Sequence, residues 1–203
     1  MKTYTIEGEI CLGMMCCGGG VYEDYTATVE LEDEQVEQLV ELIRENDGET
    51  DVVALDLENE LPEVYETLQE AISDAACEAA FRHWALGGFA DGAFEEPDGL
   101  MERLEEDGLF KFNAEEYLES KKELGEDEYE EYSEYDEDDL KGEAFSEWLD
   151  EHYNSLSEDE QYEFLKKYYT NNLDGIDVSD TEYEVVIPNE IIEEAEEETG
   201  ADE

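Results

Sequence analysis

Residues 61–89 constrain the fold of this chain more than any other stretch. Leu61, Val64, Tyr65, Leu68, Ala71, Ile72, Ala75, Ala76, Ala79 and Ala80 recur at i, i+3, i+4 and i+7, the spacing of one face of a helix. Cys77, Phe81 and Trp84 add a second stripe that widens the apolar face, and His83 lies on that face too. Pro62 suits the first turn, where its missing N–H costs nothing. Gly87 and Gly88 suit the exit. At roughly 1.5 Å per residue such a helix crosses a whole small domain. The rest of the chain must supply the surfaces that bury it.

Those surfaces are legible as short elements. Residues 2–11 and 21–31 alternate in the manner of two strands, with Tyr4, Ile6 and Ile10 against Tyr25, Ala27, Val29 and Leu31. The glycines of Gly13–Gly20 permit a hairpin loop between them, and the absence of a Gly-Lys-Ser/Thr ending excludes a phosphate loop. Glu32 to Asn46 reads as an amphipathic helix with Val36, Leu39, Val40 and Ile43 inward. Val52 to Leu57 reads as a brief strand or an extended linker. From Phe89 to Phe112 glycines punctuate a loop-like stretch, with one or two helical turns at Leu100–Leu104.

Asn113 followed by Glu116, and Ser157 followed by Glu160, are capping-box patterns. The first opens a helix with Tyr117, Leu118, Lys121 and Leu124 on one face; the second opens one through Leu165, Tyr168 and Tyr169. Between them, Ala144, Phe145, Trp148, Leu149 and His152 mark a helix over 140–153. Glu182 to Ile187 alternates as a third strand, and a last helix follows Pro188 with Ile191, Ile192 and Ala195 as its apolar side. The expectation is one acidic α+β domain over residues 1–203, a small antiparallel sheet packed with several amphipathic helices. Residues 126–139 form either a helix with a stripe of Tyr129, Tyr132 and Tyr135 or a mobile acidic segment.

Charge separates this chain from an ordinary domain of that kind. It carries 65 Asp and Glu against 10 Lys and Arg, a formal net charge of −55. Exposed carboxylates about 6 Å apart repel by only roughly 0.7 kcal/mol in water, but dozens of such pairs are a standing penalty against folding. Acidic disordered tails lack aromatics; this chain has 13 Tyr and 7 Phe, enough to build a core. No apolar run follows a basic N-terminal region and none approaches a membrane span. Neither a signal peptide nor membrane binding is expected, and Cys11, Cys16, Cys17 and Cys77 do not form a secreted disulfide pattern. A cytoplasmic protein with reduced thiols is the expectation.

Catalytic and metal patterns are absent from the sequence. The two histidines, His83 and His152, sit on apolar helix faces, and no His-Glu-x-x-His or Cys-x-x-Cys pair occurs. Thr170–Ile176 holds Asn, Asp and Gly at calcium-loop positions but fails at Thr170 and at Thr181. No enzyme activity, cofactor or metal is expected.

The acids fall in rows. Glu115, Glu116, Glu119 and Glu123 share helical spacing, as do Glu190, Glu193, Glu194 and Glu197; Asp127, Glu130, Glu131, Glu134 and Asp138 fill the window between the capping boxes. Neighbours at these offsets are about 5–6 Å apart, while duplex DNA carries one charge per roughly 3.4 Å of each strand. In this respect the chain resembles the DNA-mimic inhibitors of phages and mobile elements, such as anti-restriction and anti-CRISPR proteins. That resemblance implies a protein that binds the basic groove of a DNA- or RNA-binding defence enzyme, blocks it, and contacts no nucleic acid itself. An acidic immunity protein or chaperone for a basic partner is the alternative the same charge admits.

Overall fold

A computed structural model describes residues 1–14, 20–125, 130 and 132–199. The fold is α+β, with a two-stranded antiparallel sheet and nine helices among the described residues. The chain groups into two compact units, Met1–Trp84 with Ile176–Glu203, and Ala85–Gly175.

In the first unit β1 (Lys2–Met14) pairs with β2 (Gly20–Leu31), with Lys2 opposite Leu31 and Ile10 opposite Glu23. Period-2 alternation buries Tyr4, Ile6, Ile10, Ala27, Val29 and Leu31 on one face. The other face leaves Thr3, Thr5, Glu7, Glu9, Asp24, Thr26, Thr28 and Glu30 exposed. Gly8 stands opposite Tyr25, and a Cβ there would lie 2.4 Å from the Tyr25 ring, so the glycine lets the ring cross the strand. The hairpin loop's residues 15–19, Cys16 and Cys17 included, lie outside the described residues.

Helix α1 (Asp33–Glu45) buries Val36, Leu39, Val40 and Ile43, as its spacing predicts. Val52–Leu57 is neither strand nor linker. The Asp51 carboxylate accepts from the N–H groups of Val53 and Ala54 at 3.0 and 2.7 Å, which curls the backbone into turns that lead into α2 (Leu57–Glu60). Helix α3 (Pro62–Ala90) follows, with Val64, Leu68, Ile72, Ala76 and Ala80 buried. Two expectations about its far end are corrected. Trp84 is 44% exposed; the buried face passes from Ala80 to Ala85 instead. Gly87 and Gly88 lie inside the helix, which exits at Gly92 (φ 68°) with Ala93 N–H bonded to the Gly88 carbonyl at 2.9 Å. Gly88 serves packing, since a Cβ there would meet the Phe94 ring at 2.7 Å.

The third strand is also corrected. Residues 182–187 make one isolated bridge, Glu182 to Cys11, and no ladder among the described residues. The consecutive apolar Val185, Val186 and Ile187 hold the segment to the core through side chains instead. Helix α9 (Asn189–Thr199, numbering the helices in chain order) packs on α1 and buries Ile191 and Ala195.

The second unit is helical: α4 (Leu100–Glu106), α5 (Ala114–Leu124), α6 (Glu137–Ser155), α7 (Glu158–Tyr168) and α8 (Thr170–Leu173). Both capping residues read from the sequence cap helices. The Asn113 side chain accepts from the Glu115 and Glu116 N–H groups, and Ser157 and Glu160 bond reciprocally. The core is aromatic. Phe89 packs on Tyr153 at 4.0 Å and edge-on to Tyr169 at 5.1 Å, and Phe110 meets Phe145 edge-on at 5.2 Å. Helix α8 occupies the start of the calcium-loop pattern, so Asn171 and Asn172 sit on a helical turn. Among the described residues no helix is long and apolar enough to cross a membrane.

Candidate partner-binding surface

The predicted acid rows are divided between the two units. Glu115, Glu116, Glu119 and Glu123 are exposed on α5. At about 1.5 Å of rise per residue they place four carboxylates along about 12 Å of axis, close to the charge spacing of one DNA strand. Glu115 and Glu116 occupy the first turn of α5, where the helix dipole favours anions. Glu130, Glu134 and Asp138 are exposed, the last in the first turn of α6, whose N-cap is Asp136. Asp127 and Glu131 lie outside the described residues. The described acids of these two groups belong to the second unit.

Glu190 and Glu193 are exposed on α9, in the first unit. Glu194 is half-buried and bonds Lys2 Nζ at 3.5 Å, which takes it partly out of the row. Glu197 is on the helix, with its side chain outside the described set.

The structure adds an acidic surface that was not singled out from the sequence. The outer face of the hairpin carries Glu7, Glu9, Asp24 and Glu30, all exposed, and Glu9 stands directly opposite Asp24. Like charges in that position oppose strand pairing. The alternation of residues 3–9 and 24–30 contains this face, but only the pairing register puts the two carboxylates across from one another.

The basic side chains do little to offset the field, because the chain uses them internally. Lys141 pairs with Glu105 at 2.8 Å, Lys167 with Asp107 at 2.7 Å and Lys166 with Glu163 at 3.2 Å. The hydrogen bonds from Lys167 and from the Tyr168 hydroxyl hold the Asp107 carboxyl below its ordinary range. Arg103 donates to the Tyr168 carbonyl at 3.2 Å. With 10 basic residues against 65 acids, at least 55 carboxylates have no basic side chain of their own.

Lys121 is a special case. It is the one buried charged residue among those described, 6% exposed. Its ammonium bonds Glu147 and lies 4.9 Å from the Tyr117 ring centre and 4.8 Å from that of Tyr132. Tyr132 in turn packs edge-on to Tyr117 and Tyr135. Burial is the largest single influence and works to lower the Lys121 pKa, but the hydrogen bonds and charges of Glu147 and Tyr117 together outweigh it, and the net displacement is upward. A cation in a tyrosine cage thus ties Tyr132 to α5 and α6. The sequence shows only a lysine on an apolar face, with nothing to reveal the partner 26 residues away.

His83 Nδ1 pairs with Glu23, and the His152 ring stacks on Trp148 at 4.6 Å. Among the described residues no group of His, Cys, Asp and Glu is placed to hold a metal ion. The surface is therefore built to accept hydrogen bonds and attract cations, through carboxylates held on regular helices and strands.

No family model matches the chain, and neither curated proteins nor solved structures yield a match.

Proposed function

We propose that this protein is a nucleic-acid mimic: it occupies the basic groove of a DNA- or RNA-binding defence enzyme of the restriction or CRISPR type and excludes the nucleic acid. The observation that carries the reading is a net charge of −55 on a folded, aromatic-cored chain, with a row of exposed acids on α5 and Glu190 and Glu193 exposed on α9. A charged surface fixed by a fold holds its carboxylates in place before binding, so the partner's lysines and arginines meet a preorganised field. Affinity comes largely from counterions released from the partner's groove and from complementary potentials.

The test is displacement. Labelled duplex DNA is bound to purified restriction and CRISPR effectors, the protein is titrated in, and anisotropy is read at low and high salt. Competitive release of DNA that weakens steeply with salt is the expected result. Tight binding to a basic partner that leaves its nucleic-acid binding intact would replace this reading with the immunity-protein or chaperone alternative. Release that is flat in salt would remove the electrostatic account.

A further inference from the structure

We propose that the cleft between the 50–58 turns and the extended segment 183–186 is the anchor site of this surface: it takes an apolar side chain from a lysine- or arginine-rich segment of the partner. The proposal rests on the reading above only for the partner's basic charge.

The cleft lies within the first unit and has a volume of about 610 Å³, inside the range of sites that enclose a ligand side chain or small molecule. Its floor is apolar. Val52 and Leu57 belong to the buried core, and Tyr65, Val185 and Val186 are packed against that core yet still line the opening. Val53 stands at the cleft 86% exposed, the most exposed large apolar side chain in the described protein. Val53 thereby extends the apolar lining to the mouth of the cleft, where a bound side chain would cover it.

The charged residues of the lining are all acidic, beside the neutral Thr50, Gln69 and Tyr183. Asp51, Asp56, Glu58 and Glu184 line the cleft, with no Lys or Arg among its residues. Asp56 adopts a left-handed conformation (φ 52°) and accepts a bond from Asn59 at 2.7 Å, which fixes its carboxylate at the start of α2. The failed third strand makes the opening: had residues 183–187 laddered fully onto β1, Val185 and Val186 would alternate between faces in place of both flanking the core. A second cleft, on Glu7, Glu9, Tyr22 and Tyr25, shares Tyr183, Glu184 and Val186 with the first. Burial first, and then the carboxylate of Glu184, raise the Tyr25 hydroxyl above its ordinary pKa, which places that charge close to the hairpin.

An apolar floor inside a carboxylate rim is complementary to one kind of occupant. A neutral apolar segment leaves the rim's charges partly desolvated and unpaired, at a cost. A purely polar cation leaves the floor wet. A segment alternating basic and apolar residues satisfies both. A second copy of this chain brings more carboxylates to the same rim and is repelled.

Two peptides of equal lysine content test this on the full chain, one with leucine and one with serine at the intervening positions. Affinities are measured by calorimetry at low salt and at about 1 M salt, where screening confines charge effects to about 3 Å. At high salt the leucine peptide is expected to bind about tenfold or more tightly than the serine peptide. Val53→Ser combined with Val186→Ser removes that preference, while Asp56→Asn weakens both peptides at low salt and keeps their ratio. Circular dichroism of each variant confirms the fold. Replacing Glu115, Glu116, Glu119 and Glu123 by glutamine leaves the leucine preference unchanged. Equal high-salt affinities overturn the proposal, as does a preference that survives the valine pair or disappears with the α5 variant. Self-association abolished by Val53→Ser overturns it in favour of an interface between copies. None of these outcomes depends on DNA displacement, so the anchor and the mimic reading fail separately.

Discussion

The Lys121–Glu147 pair separates local structure from net charge as the determinant of stability. The two side chains are unequally buried: Lys121 is 7% exposed and Glu147 43%. Removing Lys121 returns Glu147 to water, where half of its side chain already lies. The loss is then one charge-assisted hydrogen bond of about 1.5–3 kcal/mol and two ring contacts of roughly 0.5–1 kcal/mol each. A methionine offsets part of that by filling the volume without a charge to desolvate. Lys121→Met should cost about 1–2 kcal/mol. Glu147→Gln leaves a neutral amide oxygen to accept from a buried ammonium that has lost its counter-charge, and breaking a buried pair in that way costs about 3 kcal/mol or more. Net charge argues the reverse order, because the glutamine variant relieves a chain of −55 and the methionine variant makes it −56 by loss of one of its 10 basic residues. The assay is urea unfolding in a Trp84→Phe background, which leaves Trp148 as the only indole and so reports on the unit that contains the pair. A Lys121→Met cost equal to or above that of Glu147→Gln would refute the burial argument.

Alkali gives a second reading of the aromatic core. Burial pushes the Tyr117, Tyr153 and Tyr169 hydroxyls up to about 12. A folded-state pKa above the unfolded one stabilises below about pH 10, and that contribution fades as pH rises from there through about 12. Absorbance titration should show these three ionising last, in step with unfolding; all 13 tyrosines titrating together near pH 10 in a folded chain would contradict it. Added salt should raise the midpoint of thermal unfolding, because neighbouring carboxylates about 6 Å apart repel by roughly 0.7 kcal/mol before screening; an unchanged midpoint in circular dichroism would show that repulsion is not limiting. Reversing Glu115, Glu116, Glu119 and Glu123 to lysine should leave the helical signal intact, since all four are exposed, and weaken displacement of DNA from the partner. Undiminished displacement would take α5 out of the interface.

Helix faces and caps were readable because both are local. Val36, Leu39, Val40 and Ile43 are three to four residues apart, and Asn113 and Ser157 cap helices that begin one residue later. What the sequence hid depends on pairing over distance or on competition between local and distant bonds. Val52–Leu57 has a strand's composition, but a carboxylate one residue upstream bends the backbone first. Glu182–Ile187 has a strand's alternation, but its three consecutive apolar residues, Val185, Val186 and Ile187, all pack on the core, and Glu182 alone bridges to β1. Gly87 and Gly88 look like an exit, yet the space over Gly88 is taken by Phe94, whose approach no local pattern announces. The acid rows were legible as spacing, while the partition of α5 and α9 between units, and Glu9 facing Asp24, are properties of the fold alone.

Charge and shape have different tasks on such a surface. Carboxylate rows act over a Debye length of about 8 Å and are nearly blind to which basic groove they meet; they accelerate encounter and set the salt dependence. Choice of partner needs contacts that lose energy when the fit is wrong, and those are short-ranged and largely apolar. On this protein the two kinds of contact occupy different positions. The row on α5 carries exposed acids, while Val53, Val185 and Val186 share a cleft with Asp51, Asp56, Glu58 and Glu184. A mimic made only of charge would bind every polycation in a cell. An anchor within the charged field lets the same encounter be followed by a selective step, and removal of Val53 should then broaden the set of basic proteins bound at low salt relative to those retained at high salt.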